Sequence, residues 1–297
     1  MGVYLSQPDT RKTSLDGEGN GVRYGASSMQ GWRLNMEDAE ISEAKFGPHS
    51  SLFAVFDGHG GSEVAKFCGK YFAGELKKNP KFANETDIEA ALVETFLKMD
   101  EIMLTPEGQS ELKRDAENPG AESQAGCTAN VTLIHKKMIY CANAGDSRTI
   151  CYANGKCIPL SIDHKPDNPE ELARIEASGG FVTGGRVNGN LNLSRALGDF
   201  EMKKSVGRGP AQQAISSVPD IMKRQLTKAE EFLVMGCDGI WELLTPDEIC
   251  QITKQEIGRK GRVSEIAELI LDRGLAPTTE NGTGCDNMSA IVIQLNC

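Results

Sequence analysis

The sequence of 297 residues predicts an α+β fold built on largely antiparallel sheets. Two observations carry that expectation. Strand-like and helix-like segments come in blocks instead of alternating one by one, and short strands are joined by tight turns. The composition is that of a packed globular chain: hydrophobic residues are 39%, and 32 glycines bring the total to about half.

The elements follow in order. Residues 7–21 are polar and glycine-rich and read as a loose lead-in, so 1–21 is expected to be a flexible N-terminal segment and 22–297 a single domain. The start, Met1-Gly2-Val3-Tyr4-Leu5-Ser6, fits the short N-myristoylation pattern. Acylated Gly2 and a plain terminus both stay open, and one lipid chain would anchor only weakly. Residues 51–56 form an apolar strand ended by Asp57-Gly58-His59-Gly60-Gly61. Ser62 is placed to cap the next helix, where Val64, Cys68, Phe72 and Leu76 recur every four residues. A Thr86/Glu89 capping box opens a second helix with Ile88, Leu92, Phe96 and Met99 as its stripe.

Residues 105–126 are polar and read as a surface loop. Residues 130–134 and 138–142 read as strands, and 149–152 turns at Asn154-Gly155 into 156–160, a two-residue hairpin signal. Asn168-Pro169 opens a helix that stops at Gly179-Gly180, followed by loops over 179–198 and 203–213. The strand 231–237 ends in Asp238-Gly239. Thr245-Pro246-Asp247-Glu248 caps a helix, 264–273 makes another, and Met288–Leu295 is the last strand.

Charge and composition exclude several function classes. With 42 acidic against 32 basic residues the net charge is −10, which argues against a basic nucleic-acid-binding face. No apolar run approaches the ~18 residues of a membrane helix and no secretory leader opens the chain, so a soluble protein is expected. Nine cysteines, none in a CxxC pair, point to free thiols, and four histidines give little support to a zinc site. No cysteine is followed by arginine at the sixth position, and neither GxxxxGK[ST] nor GxSxG occurs. Gly58-His59-Gly60 lacks the context of a dinucleotide fingerprint.

What remains is carboxylates at strand ends. Asp57 and Asp238 follow two of the most apolar strands, Asp286 precedes a third, and Asp146 lies just past 138–142. One Asp-Gly marks a turn. Several at the tips of buried strands would be costly to desolvate unless something positive receives them. Clustered oxygens with little imidazole select a hard cation, Mg²⁺ or Mn²⁺, and a carbonyl such as that of Gly58 is free to join them.

Seven motifs then carry a resemblance in order along the chain: Arg33-Leu34-Asn35-Met36-Glu37-Asp38, Phe56-Asp57-Gly58-His59-Gly60-Gly61, Gly126-Cys127-Thr128-Ala129, Ala144-Gly145-Asp146-Ser147-Arg148, Ser194-Arg195-Ala196-Leu197-Gly198-Asp199, Cys237-Asp238-Gly239-Ile240-Trp241-Glu242 and Asp286-Asn287-Met288-Ser289. From about residue 22 to 296 the sequence resembles the metal-dependent Ser/Thr protein phosphatases of type 2C. The resemblance implies an α-β-β-α sandwich of two antiparallel sheets flanked by helices, with a binuclear Mg²⁺/Mn²⁺ centre at one end. It implies that Asp57 bridges two ions, with Asp238 and Asp286 on one and the Gly58 carbonyl on the other. Glu37 would act through bound water, and Asp146 would serve a weaker third ion. Asp38, Asn287, Thr128 and Asp199 are expected to support the site, and Arg33 to grip the substrate phosphate. Arg186 is placed to face substrate or to anchor the loop 165–215, which is similar to the family's variable flap.

The implied reaction is in-line attack on phosphoserine or phosphothreonine by a hydroxide bridging the ions, with His59 as acid for the leaving oxygen. Phosphorylated proteins are the expected partners, without nucleic acid. The chain is expected to be a monomer in the cytoplasm, with the nucleus and a lipid-held membrane fraction left open. Glu242 and Asn130 depart from the family pattern, which commonly has Asp and an apolar residue there. A catalytically silent relative would be expected to lack a ligand, and Glu37, Asp57, Asp238 and Asp286 are all present.

Overall fold

The computed structural model describes residues 4–116 and 124–295, so Gly2 and its acylation pattern lie outside the described residues. Alternation along the apolar strands builds the layers. In Ser50–Phe56, Leu52, Ala54 and Phe56 pack on one side with Phe72, Leu92 and Phe96, whereas Phe53 and Val55 face Leu233, Met235 and Ile293 on the other. Met288–Leu295 does the same, turning Ala290 and Val292 toward Ile266 and Ile270 and Ile291 and Ile293 toward Phe53. A period of two with both faces apolar forces burial on both faces. The result is helix, sheet, sheet, helix.

One sheet has six strands in the spatial order Asp9–Gly19, Val22–Gly31, Met288–Leu295, Glu230–Gly236, Arg148–Ala153, Lys156–Pro159, all antiparallel. The other has five, in the order Asp220–Gln225, Met138–Ala144, Ala129–His135, Ser50–Phe56, Ala39–Gly47, also antiparallel. Helices Glu63–Lys78 and Ile88–Met103 cover the five-stranded sheet. Pro246–Glu256 and Ser264–Gly274 cover the six-stranded one. Asn154 and Gly155, both at positive φ, close the expected hairpin, and Thr245 with Glu248 forms the expected capping box. Among the described residues no helix is long and apolar enough to cross a membrane, and eight cysteines are free thiols.

Several elements depart from the expectation. Residues 9–19 are no loose lead-in. They form an edge strand held by its ladder to Val22–Gly31, with almost no buried side chain to mark it in the sequence. Val22–Gly31 itself is rich in small residues because a helix lies directly on it: a Cβ on Gly25 would stand 1.9 Å from the Ser264 nitrogen. Ala39–Gly47 and Asp220–Gln225 are further strands without a clear apolar alternation. Within 105–126, Pro106–Asp115 is a helix, capped by the Thr105 hydroxyl accepting from Gly108 N at 3.1 Å and pinned by buried Leu112. Asp87, not Thr86, caps Ile88–Met103, accepting from Ala90 N at 3.0 Å, and Ser62 makes no side-chain cap.

The edge strand also carries a cap. Asp16 Oδ1 accepts the Ser264 N–H at 2.9 Å and its other oxygen takes the Ser264 hydroxyl, at the start of Ser264–Gly274. Asp16→Ala is expected to cost about 1 kcal/mol, the usual worth of an N-terminal cap, read as a lower urea midpoint at unchanged slope.

Candidate metal centre

Each acidic residue takes its position from the strand beside it. Asp57 follows Ser50–Phe56 in the five-stranded sheet, and Asp238 and Asp286 flank the neighbouring strands Glu230–Gly236 and Met288–Leu295 of the six-stranded sheet. Asp146 sits in the turn that crosses from Met138–Ala144 in one sheet to Arg148–Ala153 in the other. All four tips open into one cavity of about 140 Å³, shared with Arg33, Glu37, Gly58, His59, Thr128 and Asn287. Carboxylate oxygens of Asp57, Asp146 and Asp238 lie within 4.8 Å of one another.

Electrostatics follow from that crowding. Burial, then the neighbouring carboxylates of Asp238, Asp38, Asp286 and Asp146, pushes the Asp57 carboxyl well above its ordinary range. Asp238 is raised by burial and by Asp146 and Asp286, against a smaller opposing pull from Lys165. Burial raises Asp286 too, while the Arg33 guanidinium paired with it pulls the other way. Asp38 rises to about 6, chiefly through burial, although the Ser289 hydroxyl donates to its Oδ2 at 2.7 Å. Its Oδ1 is buried without a hydrogen bond among the described residues. An all-oxygen set of mutually repelling, desolvated carboxylates suits a hard divalent cation. Cys237, whose sulfur joins Asp38 and Asp57 in a second such group, has its thiol raised by burial and by the neighbouring carboxylates.

The remaining expected residues fall into three places. Asn287 braces the loop that carries Arg33 and Glu37: its Oδ1 accepts from Glu37 N at 2.9 Å, and its Nδ2 donates to Gln30 O and Asn35 O. Thr128 accepts the Asp57 N–H at 3.2 Å and exchanges a hydrogen bond with Ser147, so it holds backbone as well as lining the cavity. His59 and Asp199 meet at 2.8 Å. Burial would lower the His59 pKa, but the Asp199 carboxylate outweighs it and the net shift is upward. Gly126 makes room for this pair, since a Cβ there would stand 2.2 Å from Asp199 Oδ2 and 2.6 Å from His59 Nε2. Gly126→Ala is therefore expected to lower turnover of a phosphoserine peptide about 10- to 100-fold, the usual cost of disturbing a supporting contact, and to cost about 1–3 kcal/mol of stability through overpacking.

Arg186 is not in this cavity. Its guanidinium donates to Asn190 O at 2.7 Å and lines a neighbouring space of about 490 Å³ that shares His59, Gly60 and Asn192 with the first. Three residues escape sequence reasoning: Asn192 and Leu193 on the cavity wall, and Lys165, ion-paired with Asp146. They come from the loop 165–215 or its edge, where no apolar strand points to them.

A model of the protein phosphatase 2C family matches residues 22–283, most of the chain. Protein phosphatase 2C 1 of Paramecium tetraurelia is 52% identical over 99% of both chains. The chain belongs to the protein phosphatase 2C family. Another relative, protein phosphatase 2C homolog 3 of Schizosaccharomyces pombe, is 44% identical over 99% of this chain and 70% of its own. Among solved structures, a phosphatase from a pathogenic strain of Toxoplasma gondii superposes with a TM-score of 0.77 at 25% identity, covering 96% of each chain. The serine-threonine phosphatase 2C from Toxoplasma gondii gives 0.76 at 19% identity, covering 99% of this chain and 98% of that one. The sandwich expected from the family motifs is the fold observed, and family membership makes the chain a metal-dependent phosphatase. The two departures from the family pattern have partners here. Glu242 accepts the Gly284 N–H at 2.5 Å, and buried Asn130 donates to Asn143 Oδ1 at 2.9 Å and accepts from Thr149 Oγ1.

Proposed function

We propose that this chain hydrolyses phosphoserine and phosphothreonine monoesters on proteins with the help of Mg²⁺ or Mn²⁺. The observation that carries the reading is the convergence of Asp57, Asp146 and Asp238 oxygens within 4.8 Å, in a cavity that Arg33 also lines. Asp57, Asp238, Asp286, Glu37 and the Gly58 carbonyl are the groups to hold two ions, and Asp146 with Asp238 a weaker third. Bound there, divalent cations would supply the positive charge that acidifies water and neutralises phosphate oxygens.

The protein's own groups do the rest. Arg33, half-exposed at the cavity mouth, presents a planar fork that grips two phosphate oxygens, and Asp286 fixes its direction. Thr128 and Asn287 hold the backbone of Asp57 and Glu37 in place. His59, whose pKa the Asp199 carboxylate raises against the effect of burial, delivers a proton to the departing serine or threonine oxygen as water attacks from the opposite side. The test is phosphate release from a phosphoserine peptide with Mg²⁺ or Mn²⁺, then with excess chelator. Release that stops on chelation is expected, and release that survives it would overturn the reading.

A further inference from the structure

Outside the acidic cavity lies a buried charge pair that the proposed chemistry does not use. Asp100, on the helix Ile88–Met103, accepts the Gly198 N–H at 2.9 Å with Oδ1 and the Lys203 ammonium at 2.5 Å with Oδ2. The same ammonium donates to Ala196 O at 2.9 Å. Asp100, from the helix, and Lys203, from the same loop a few residues on, therefore clamp the backbone of residues 196–198. Both side chains are nearly enclosed, at 13% and 10% exposure. Burying such a pair costs desolvation that its attraction barely repays, so it is weak evidence for stability and better evidence for fixing one conformation.

What it fixes is unusual backbone. Gly198 lies at φ +75° and Asp199 at φ +49°, two left-handed residues in succession. For Asp199 that costs on the order of 1 kcal/mol, and such strain persists only where the surroundings over-determine it. The Asp100 carboxylate on Gly198 N and the Ala125 carbonyl, 3.1 Å from Asp199 N, supply that determination. The reward is the direction of the Asp199 carboxylate, 2.8 Å from His59 Nε2. Asp100 lines neither the acidic cavity nor the space beside it.

We propose that Asp100, locked by Lys203, is a positioning residue that holds the Gly198–Asp199 turn so that Asp199 orients His59. The proposal rests on His59 being the proton donor to the leaving oxygen. A proton donor matters for a serine alkoxide and hardly for p-nitrophenolate, which leaves as a stable anion. Asp100→Ala is therefore expected to lower kcat on a phosphoserine peptide about 30-fold, as loss of a supporting contact does, while p-nitrophenyl phosphate turnover falls less than about threefold. Asp100→Asn, which keeps an acceptor for Gly198 N–H, should lie between Asp100→Ala and wild type. In a His59→Ala background, Asp100→Ala should add almost nothing, because coupled residues are non-additive. Lys203→Met supplies the same comparison if Asp100→Ala does not fold. Equal losses on the two substrates, no loss on either, or full additivity with His59→Ala would overturn the positioning role. If His59→Ala itself slows both substrates equally, the proton-donor reading falls, and the role built on it falls with it.

Discussion

Asp57→Asn is expected to lower phosphoserine peptide turnover at least about a thousandfold and, at the same time, to raise the melting midpoint of the chelated protein. The first effect follows because Asp57 belongs to both acidic groups at the centre, and bound cations supply several kcal/mol of charge stabilisation, each 1.4 kcal/mol being about tenfold. The second follows because the amide keeps the volume of the carboxylate but none of its charge. Asp57 is pushed upward by burial and by four other carboxylates, so without cations its ionised form opposes folding. Activity assays beside thermal scans in EDTA read both. A variant that loses activity and also melts lower in EDTA would show that Asp57 is a structural residue instead.

The metal-free protein should also grow more stable as pH falls from 8 to 5.5. Burial first, and then Asp38, brings Glu40 up to about 7, and burial brings Asp38 to about 6. Both exceed their unfolded values near 4, so across this window the folded state holds protons that the unfolded chain has released, and stability falls as pH rises. Glu40 alone is worth on the order of 2 kcal/mol between those limits, a few degrees in midpoint. His59, raised in the fold, acts in the same direction, whereas His135, lowered by burial, opposes it in part. Carboxylates held low by partners, such as Asp220 beside His164 and Arg195, lose their contribution only at lower pH. With Mg²⁺ present the trend should weaken, because protons then compete with the cation for the oxygens of Asp57, Asp238 and Asp286. Thermal scans across pH with EDTA and with Mg²⁺ distinguish the two regimes.

The layers were legible because the strands at their heart are apolar on both faces, and the acidic tips were legible because they interrupt those strands. Two neighbouring strands at one side of the larger sheet were not. Asp9–Gly19 is held by backbone pairing, which leaves no hydrophobic period, and Val22–Gly31 hides behind the small residues that a close helix demands. Glu37 and Asp38 came into view only through family motifs, since they sit in a loop of no regular pattern. The pairing of His59 with Asp199 joins residues 140 positions apart, and neither local propensity nor periodicity carries such a contact. Lys165 reaches Asp146 in the same way, across a loop.

The order of strands in the larger sheet has a consequence for how the molecule comes into being. Met288–Leu295 lies between Val22–Gly31 and Glu230–Gly236, so the sheet stays split until that late segment inserts between earlier ones. As a ribosome makes the chain, Asp57 emerges early and waits, with its partners Asp238 and Asp286 still to come. Closing contacts this distant in sequence is slow, and the half-built sheet exposes two unpaired edges meanwhile. The acidic cavity is thus complete only once Met288–Leu295 is in the sheet. Extra Mg²⁺ should slow unfolding of the finished protein more than it speeds refolding.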